Sequence, residues 1–451
     1  MSYYQNTYPS YTFTKPQSQE IVPMDLDQPD ELASQTHQSP FGDSYSVAPF
    51  TSAASLAQQL RFDVAPVRRG CQQGKRLDFL QLLPYEIITY ILSLLDLPTL
   101  TSVSTVSKHW YLLYRNSSEL WHQRMLELNW SVNLPANLPS SQIDWYYVFR
   151  QKHQLEKRWT VGQVSSHSLM GHRDGVYCVQ FDDDKIITGS RDRTIKVWDP
   201  NTFQCLATLQ GHRGSIVSLQ YDQDIMVSGS SDTTIVVWNM HTGKKIRRLK
   251  GHTAGISDVC FDDKYIVSSS KDGTIRVWDL VSGTPLRVLM GHRGPVNAVQ
   301  LHGNYLVSAS SDTTLKLWDI TSGACIRKFV GHIHGIACVK FDGRRIVSGS
   351  NDQTIKIWDA ESGACIRTLE GHEGLVRSLQ IDGDKIVSCG YDRTVRVWNS
   401  RTGECILNFQ NGHSSWVFDV AFDKTRIVST GLDHKVLVLD FAYGLDTRFL
   451  K

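Results

Sequence analysis

From residue 171 onward, four residue types that could do chemistry recur at fixed spacing. Each of seven copies contains a Gly-His pair, then a serine or threonine, an aspartate and, in six copies, a tryptophan. The sets are His172, His212, His252, His292, His332, His372 and His413; Thr188, Ser228, Ser268, Ser308, Ser348, Ser388 and Ser429; Asp192, Asp232, Asp272, Asp312, Asp352, Asp392 and Asp433; and Trp198, Trp238, Trp278, Trp318, Trp358 and Trp398. Serine, histidine and aspartate held together would suit a hydrolase triad. Seven equivalent copies cannot all form one active site, so we interpret these residues as buried hydrogen-bonding partners, each bond contributing about 1 kcal/mol.

The nine cysteines are a second set that could do chemistry, as disulfides or metal ligands. None forms a paired C-x-x-C, and four recur at one repeat position: Cys205, Cys325, Cys365 and Cys405. We interpret the cysteines as reduced, small core residues. No unrepeated cluster of His, Asp or Cys has the spacing of metal ligands, so we expect no metal, no cofactor and no catalytic residue.

Composition limits the class of protein and of partner. The chain has 451 residues, 41% hydrophobic and 20% charged, with a formal net charge of +2. It has no apolar run near the roughly 18 residues of a membrane span and no start resembling a secretion signal. We therefore expect a soluble protein of the cytoplasm, the nucleus or both. A near-zero net charge gives no global basic field, so neither nucleic acid nor a membrane is expected as a partner.

The elements that must position the recurring residues are short strands. Gly-His begins at residues 171, 211, 251, 291, 331 and 371, in steps of forty, and then at 412. Each copy contains runs such as "VYCVQF", "KIITGS", "TIKVWD" and "CLATLQ", typical of a four-stranded antiparallel blade. Seven blades over residues 163 to 443 close into a propeller. The last copy has Leu439 for tryptophan and lacks an outer strand, which residues 163 to 169 are predicted to supply.

Three segments precede the repeats. Residues 1 to 70 are rich in Ser, Gln, Pro, Tyr and Asp, which predicts disorder, with the apolar run 55 to 66 either a frayed lead-in or a helix formed on a partner. Residues 77 to 130 have helical periodicity and predict a small helical module, either self-contained or with an apolar surface left for a partner. Residues 131 to 162 predict a helical linker that acts as a stiff spacer.

The residues that vary between copies indicate where recognition takes place. In a four-stranded blade, the connection into the first strand and the turn between the second and third strands lie on one face. Two positions beside these connections differ from copy to copy: Tyr177, Val217, Ser257, Asn297, Ala337, Arg377 and Phe418, and Arg191, Ser231, Lys271, Ser311, Asn351, Tyr391 and Leu432. Cations, amides and phenols around a central hole suit an acidic or phosphorylated peptide. The alternative for any single arginine is a solvated rim charge.

The helical segment "FLQLLPYEIITYILSLLDLPTL" resembles the F-box, and the repeats resemble the WD-repeat family. That resemblance implies docking on the Skp-type adaptor of a cullin-RING ubiquitin ligase through Leu83, Pro84, Ile87, Ile91, Leu94, Leu95 and Leu97. The combination is most similar to the beta-transducin-repeat-containing protein family. Similarity to that family implies that a phosphorylated degron binds against the matching residues of this sequence, which are Tyr177, Arg191, Lys271, Asn297, Leu375, Arg377 and Tyr391. Where that family carries further arginines, this sequence has Thr313, His334 and Trp416, so the degron sequence stays open.

The predicted fold class is mainly β: a seven-bladed WD-repeat β-propeller preceded by a small all-α F-box module and a helical linker. The expected function is that of a non-catalytic substrate-recognition subunit of a Skp-cullin-F-box ubiquitin ligase. It would bind phosphorylated proteins for ubiquitination and proteasomal degradation. The alternative is a non-degradative WD-repeat scaffold that assembles a protein complex. A homodimer is left open, although residues 1 to 70 do not match the dimerisation segment of the resembled family.

Overall fold

The computed structural model describes residues 78–130 and 143–450. Residues 1 to 70, for which disorder and a short helix at 55 to 66 were predicted, lie outside the described residues. Cys71 and the first part of the linker lie outside them as well. Within the described ranges, no helix combines the length and apolar character needed to cross a membrane.

Four helices form the small module that precedes the propeller. After a 3-10 turn at Phe79–Leu82 come α1 Tyr85–Ser93, α2 Leu97–Val103, α3 Lys108–Asn116 and α4 Ser118–Glu127. Pro98 lies in the first turn of α2, where no backbone N–H is needed. Ser107 caps α3 by accepting from the Trp110 amide at 3.3 Å. The helices bury an apolar core that includes Ile88, Leu100, Leu120, Trp121 and Met125.

Strands β1 to β28 form seven four-stranded antiparallel sheets, the blades of a propeller. The first three blades are β2 Val176–Phe181, β3 Ile186–Ser190, β4 Thr194–Trp198, β5 Cys205–Gln210; β6 Ile216–Tyr221, β7 Ile225–Ser230, β8 Thr234–Asn239, β9 Lys245–Lys250; and β10 Ile256–Phe261, β11 Tyr265–Ser270, β12 Ile275–Asp279, β13 Pro285–Leu289. The next three are β14 Val296–His302, β15 Tyr305–Ser310, β16 Thr314–Asp319, β17 Cys325–Val330; β18 Ile336–Phe341, β19 Arg345–Ser350, β20 Ile355–Asp359, β21 Cys365–Leu369; and β22 Val376–Asp382, β23 Lys385–Gly390, β24 Val395–Asn399, β25 Cys405–Phe409.

The seventh blade is built from both ends of the repeat array. Its strands are β26 Val417–Phe422, β27 Arg426–Gly431, β28 Val436–Asp440 and the early strand β1 Ser165–Leu169. β1 pairs antiparallel with β28, with His167 opposite Val438, so the predicted outer strand is confirmed. β1 thereby covers the outer edge of β28, which would otherwise be open for another chain to pair with.

The recurring His, Ser or Thr, Asp and Trp residues form one hydrogen-bonded set in each blade. In the first blade, His172 Nε2 lies 2.8 Å from Thr188 Oγ1, and Trp198 Nε1 donates to the same oxygen at 2.9 Å. His172 Nδ1 lies 2.9 Å from Asp192 Oδ2. In the seventh blade Leu439 replaces the tryptophan, so Ser429 pairs with His413 alone, at 2.9 Å. The predicted hydrogen bonds are confirmed, and the potential nucleophile in each set is occupied by structural partners.

The hydrogen-bonded sets predict how stability depends on pH. Burial raises the pKa of Asp352, but hydrogen bonds from Thr354 and His332 outweigh it and lower the pKa to about 2. Burial lowers the pKa of His332, and the same holds at three other tetrad histidines, His172, His252 and His292. Both shifts mean that the unfolded chain takes up protons at a higher pH than the folded chain does.

The melting temperature should therefore be highest above about pH 6.5, where unfolded histidines are neutral. It should fall as the pH drops below that value, by about 1–2 °C for each kcal/mol lost in a protein of this size, and fall again below the ordinary aspartate pKa of 3.8. Asp258 and Asp419, whose pKa values burial raises, act in the opposite direction but are outnumbered. Calorimetry of the full chain between pH 8 and pH 2.5 checks this; a melting temperature higher at pH 5 than at pH 7.5 would contradict it.

The cysteines at the recurring position are a correction to the sequence interpretation. Cys205, Cys325, Cys365 and Cys405 are exposed, not buried in the core. Each begins the outermost strand of its blade, which has no further strand beside it. The core interpretation holds instead for four others: Cys178, Cys260, Cys338 and Cys389.

Helix α5, Trp145–Val161, joins the helical module to the propeller. Its first half buries Trp145 and Phe149 in the core of the helical module, and its second half buries Leu155 and Trp159 in the core of the propeller. The Trp159 ring stacks on Phe441 with centroids 3.7 Å apart. A helix is present where the linker was predicted, but it is embedded in both cores, whereas a spacer would cross solvent.

Helix α5 also shows from which side the helical module approaches the propeller. Trp159 Nε1 donates to the carbonyl of Lys424 at 2.9 Å, in the turn between the first and second strands of the seventh blade. Those turns lie on the face opposite the one that carries the recurring histidines and aspartates. Arg158 Nη1 strengthens the junction by donating to the carbonyls of Phe441 at 2.8 Å and Tyr443 at 2.7 Å.

Replacing Trp159 with alanine should loosen this junction. The variant loses the stack on Phe441 and the bond to Lys424, and we expect a loss of about 3–5 kcal/mol in the free energy of unfolding. Hydrogen exchange should accelerate in α5 while the central propeller strands keep their protection. Lys157→Ala, at an exposed position of the same helix, is the matched control. Unchanged exchange in α5 of the Trp159 variant would contradict this description of the junction.

Candidate functional site

The propeller has two distinct faces, one of which carries the varied residues. We call it the His–Asp face, because the connections with the tetrad histidines and the turns with the tetrad aspartates both open on it. The seven innermost strands line a central channel of about 410 Å³. Tyr177, Asn297 and Arg377, three of the predicted substrate-binding residues, line this channel where it meets the His–Asp face.

Four predicted residues come together across the first and sixth blades. Burial raises the pKa of the Tyr177 phenol, and the positive charges of Arg191 and Arg377 oppose that rise, while Tyr391 lies close enough to add to it. Arg191 is exposed and its Nε lies 3.5 Å from Asp174 Oδ2. An exposed ion pair of this kind contributes at most about 1 kcal/mol, so Arg191 is readily released to an anionic ligand.

The remaining predicted residues are placed apart from that group or are already engaged. Lys271 is exposed in the third blade and Asn297 lies in the fourth. The Asn297 amide donates to Ser311 Oγ at 3.0 Å and to the Ile336 carbonyl at 2.7 Å. Its two N–H groups are therefore used inside the protein, and only its oxygen is left for a ligand. Leu375 is half-buried, and its carbonyl accepts from the Tyr391 amide at 2.9 Å.

The seventh blade adds residues that the sequence-based site omitted. Tyr177, Phe418, Tyr391 and Trp416 form a continuous row of rings, which we call the aromatic shelf. Centroid distances are 4.8 Å from Tyr177 to Phe418, 6.0 Å from Phe418 to Tyr391 and 4.5 Å from Tyr391 to Trp416. The signal was available in the sequence, since Trp416 and Phe418 occupy the repeat positions of Leu375 and Arg377.

Two buried carboxylates in the channel serve the scaffold. Asp419 accepts from the Ser378 hydroxyl at 2.6 Å and the Val179 amide at 2.8 Å, in the blades on either side. Asp258 repeats this arrangement with the Ser218 hydroxyl at 2.6 Å and the Val299 amide at 3.0 Å. Burial raises the pKa of both carboxyls. Because their oxygens tie neighbouring blades together, we assign them to stability.

The helical module carries the second candidate surface. Helix α1 turns Ile88 and Leu92 into the module, whereas Ile87, Tyr90 and Leu94 are 46%, 63% and 68% exposed; we call these three the outer face of α1. Among the other predicted adaptor-binding residues, Pro84 is exposed and Ile91 is half-buried, while Leu83, Leu95 and Leu97 pack against the module core. An apolar face of this kind on a small module favours a partner over a self-contained bundle.

Comparison with known families identifies both parts of the chain. The family described as WD domain, G-beta repeat matches residues 163–199, 203–239, 243–279, 283–319, 323–359, 363–399 and 403–440. The family described as F-box-like matches residues 80–127. The chain belongs to the F-box and WD-repeat proteins. This F-box and WD-repeat protein thus has the predicted fold class, and the resemblance drawn from its sequence is confirmed at that level.

Relatives of this F-box and WD-repeat protein match it over part of their length. "Probable E3 ubiquitin ligase complex SCF subunit sconB" of Arthroderma benhamiae is 31% identical over 30% of this chain and 25% of its own. "F-box/WD repeat-containing protein 2" of Mus musculus is 34% identical over 29% of this chain and 30% of its own. The crystal structure of the computationally designed Ika8 protein shares 35% identity at a TM-score of 0.52, over 60% of this chain and 85% of that one.

Proposed function

We propose that this protein is a non-catalytic substrate-recognition subunit of a Skp-cullin-F-box ubiquitin ligase in the cytoplasm or nucleus. The outer face of α1 would bind a Skp-type adaptor and, through it, the cullin-RING core. The His–Asp face would bind a phosphorylated protein for ubiquitination and degradation. One observation carries the proposal: α5 is buried at one end in the helical module and at the other in the propeller. The two candidate surfaces therefore belong to one continuously packed body.

The chemistry of such a subunit is positioning. Holding a substrate near a ubiquitin-transfer centre turns a bimolecular encounter into an effectively intramolecular one, with a high effective concentration. That gain requires a fixed distance between the two surfaces. The buried contacts of Arg158 and Trp159 with the last blade supply this stiffness, and the docking of α5 opposite the His–Asp face leaves that face open to substrate.

Recognition of phosphate is supported by the charges at the channel mouth. The Arg191 amide donates to the Gly175 carbonyl at 2.9 Å, two residues before Tyr177, and Arg377 lines the channel together with Tyr177. The two positive charges therefore belong to the same part of the channel mouth. Charge-assisted bonds from guanidinium groups to phosphate are among the strongest hydrogen bonds in proteins. Lys271, exposed in the third blade, supplies a further positive charge on the same face.

Affinity purification of the tagged full chain from cells treated with a proteasome inhibitor tests both halves. We expect a Skp-type adaptor, a cullin and a set of phosphorylated proteins in the wild-type sample. Phosphatase treatment of the lysate should remove the phosphorylated set and leave adaptor and cullin bound. Capture of a stable protein assembly with neither adaptor nor cullin would favour the non-degradative scaffold.

A further inference from the structure

The His–Asp face is strongly asymmetric around the channel mouth. The position just before the first valine or isoleucine of each innermost strand shows this most clearly: it holds Gly175, Ser215, Gly255, Pro295, Gly335, Leu375 and Trp416. Bulky side chains occur there only in the sixth and seventh blades. The aromatic shelf is therefore an apolar surface on one side of the channel, where Arg377 also lies.

One face of the Trp416 ring is covered by a neighbouring ring, and the other face is open to solvent. Its ring lies parallel to that of Tyr391, at 5° and 4.5 Å, and still leaves 46% of the residue exposed. Phe418, only 5% exposed, supports Tyr391 edge-on, and the Trp416 carbonyl accepts from the Leu432 amide at 2.9 Å. A flat ring already fixed in place loses little conformational entropy when a ligand stacks on it.

The apolar surface of the shelf decides what kind of side chain it takes. An exposed tryptophan face attracts either a cation or a neutral flat group. Phosphate binding would occupy Arg191 and Arg377. The carboxylates of Asp174, 3.5 Å from Arg191, and of exposed Glu373 lie on the same face. The surface that the shelf itself offers to a ligand is the uncovered apolar face of the Trp416 ring. A flat apolar face is best covered by a flat apolar group, so the matching occupant is an aromatic or proline side chain.

We propose that the aromatic shelf is a specificity subsite for an aromatic or proline residue that flanks the phosphorylated residue of the substrate. Tyr177 belongs to the shelf, and it follows by two residues Gly175, whose carbonyl accepts from the Arg191 amide at 2.9 Å. Tyr177 also lines the channel together with Arg377, so phosphate and ring bind next to each other. The row of rings places Trp416 at most about 15 Å from Tyr177. Because an extended peptide advances about 3.3 Å per residue, the ring lies within about five positions of the phosphate. This inference rests on the proposed recognition of phosphorylated proteins and deepens it.

An oriented peptide library with one fixed phosphoserine and all other positions varied tests the proposal on the full chain. Wild-type protein should enrich phenylalanine, tyrosine, tryptophan or proline at one flanking position. Individual peptides carrying the selected residue should bind about tenfold more tightly than the alanine versions. Trp416→Ala should abolish this difference while still requiring phosphate, and Trp416→Phe should keep most of it. Ile333→Ala, an exposed apolar residue on a fifth-blade connection of the same face, is the matched control.

The possible outcomes separate this inference from the proposed function. Phosphopeptides that bind without any flanking preference, or with a preference that survives Trp416→Ala, overturn the subsite and leave phosphate recognition standing. Selection of lysine or arginine at the flanking position also overturns it, in favour of a cation on the tryptophan face. Failure of every phosphopeptide in the library to bind overturns both proposals.

Discussion

Replacing Ile87 and Leu94 with aspartate should abolish capture of a Skp-type adaptor and of cullin by this protein. Both side chains are exposed on the outer face of α1, so their replacement leaves the module core intact. Burying a leucine or isoleucine side chain in an interface contributes about 1.5–3 kcal/mol, and two buried carboxylates without partners would oppose binding further. We expect a loss of affinity of at least about 1,000-fold, measured by quantitative mass spectrometry of the purified complexes.

The structure also defines the controls for this experiment. Leu83 packs against the module core, so a variant combining Leu83→Asp with Pro84→Ala risks unfolding the helices as well as removing the interface. Ile87 and Leu94 avoid that ambiguity. Val281→Asp places a carboxylate at an exposed apolar position of the propeller and should leave adaptor capture unchanged. If the double aspartate variant keeps its wild-type melting temperature and still captures adaptor and cullin at wild-type levels, the ligase proposal is wrong.

The parts of the fold that repeat were predictable from the sequence, because a repeated local pattern reports the same local structure seven times. The forty-residue spacing set the number of blades, and the missing outer strand after Val436–Asp440 pointed to its replacement by β1. The position of Cys205 and its equivalents was predicted wrongly. The alternation of residue types along a strand does not show whether that strand has a neighbour on its outer side. The sequence therefore could not show that these cysteines start the outermost strands and are exposed.

The docking of α5 was not predictable, for a related reason. Its apolar residues follow helical periodicity along the whole helix, so the pattern indicates a buried stripe without saying how many cores share it. Only the structure shows Phe149 and Trp159 entering different cores. For the candidate site, too, the sequence did not show which contacts each residue makes. The sequence identified Asn297 as a varied residue but not that Ser311 and the Ile336 carbonyl take both of its amide hydrogens.

Replacing Arg377 with glutamate should remove the capture of phosphorylated proteins. Arg377 is half-buried at the channel mouth, close to Tyr177, where a guanidinium–phosphate bond contributes about 1.5–3 kcal/mol and a carboxylate would repel the phosphate. We expect affinity for a captured phosphoprotein to fall by at least about 100-fold. Binding measured against salt concentration should also become less sensitive to salt, because part of the attraction has been removed.

Two further variants keep this result interpretable. Burial raises the pKa of Asp419 and the positive charge of Arg377 opposes that rise, so Arg377→Glu places a second negative charge near that carboxyl and costs some stability. Arg377→Gln removes the positive charge without adding a negative one and should weaken capture by at least about tenfold. Arg293→Glu reverses an exposed arginine on a fourth-blade connection of the same face and should have little effect. If capture resists both Arg377 variants and phosphatase treatment of the substrate, the charged mouth of the channel is not where phosphate is recognised.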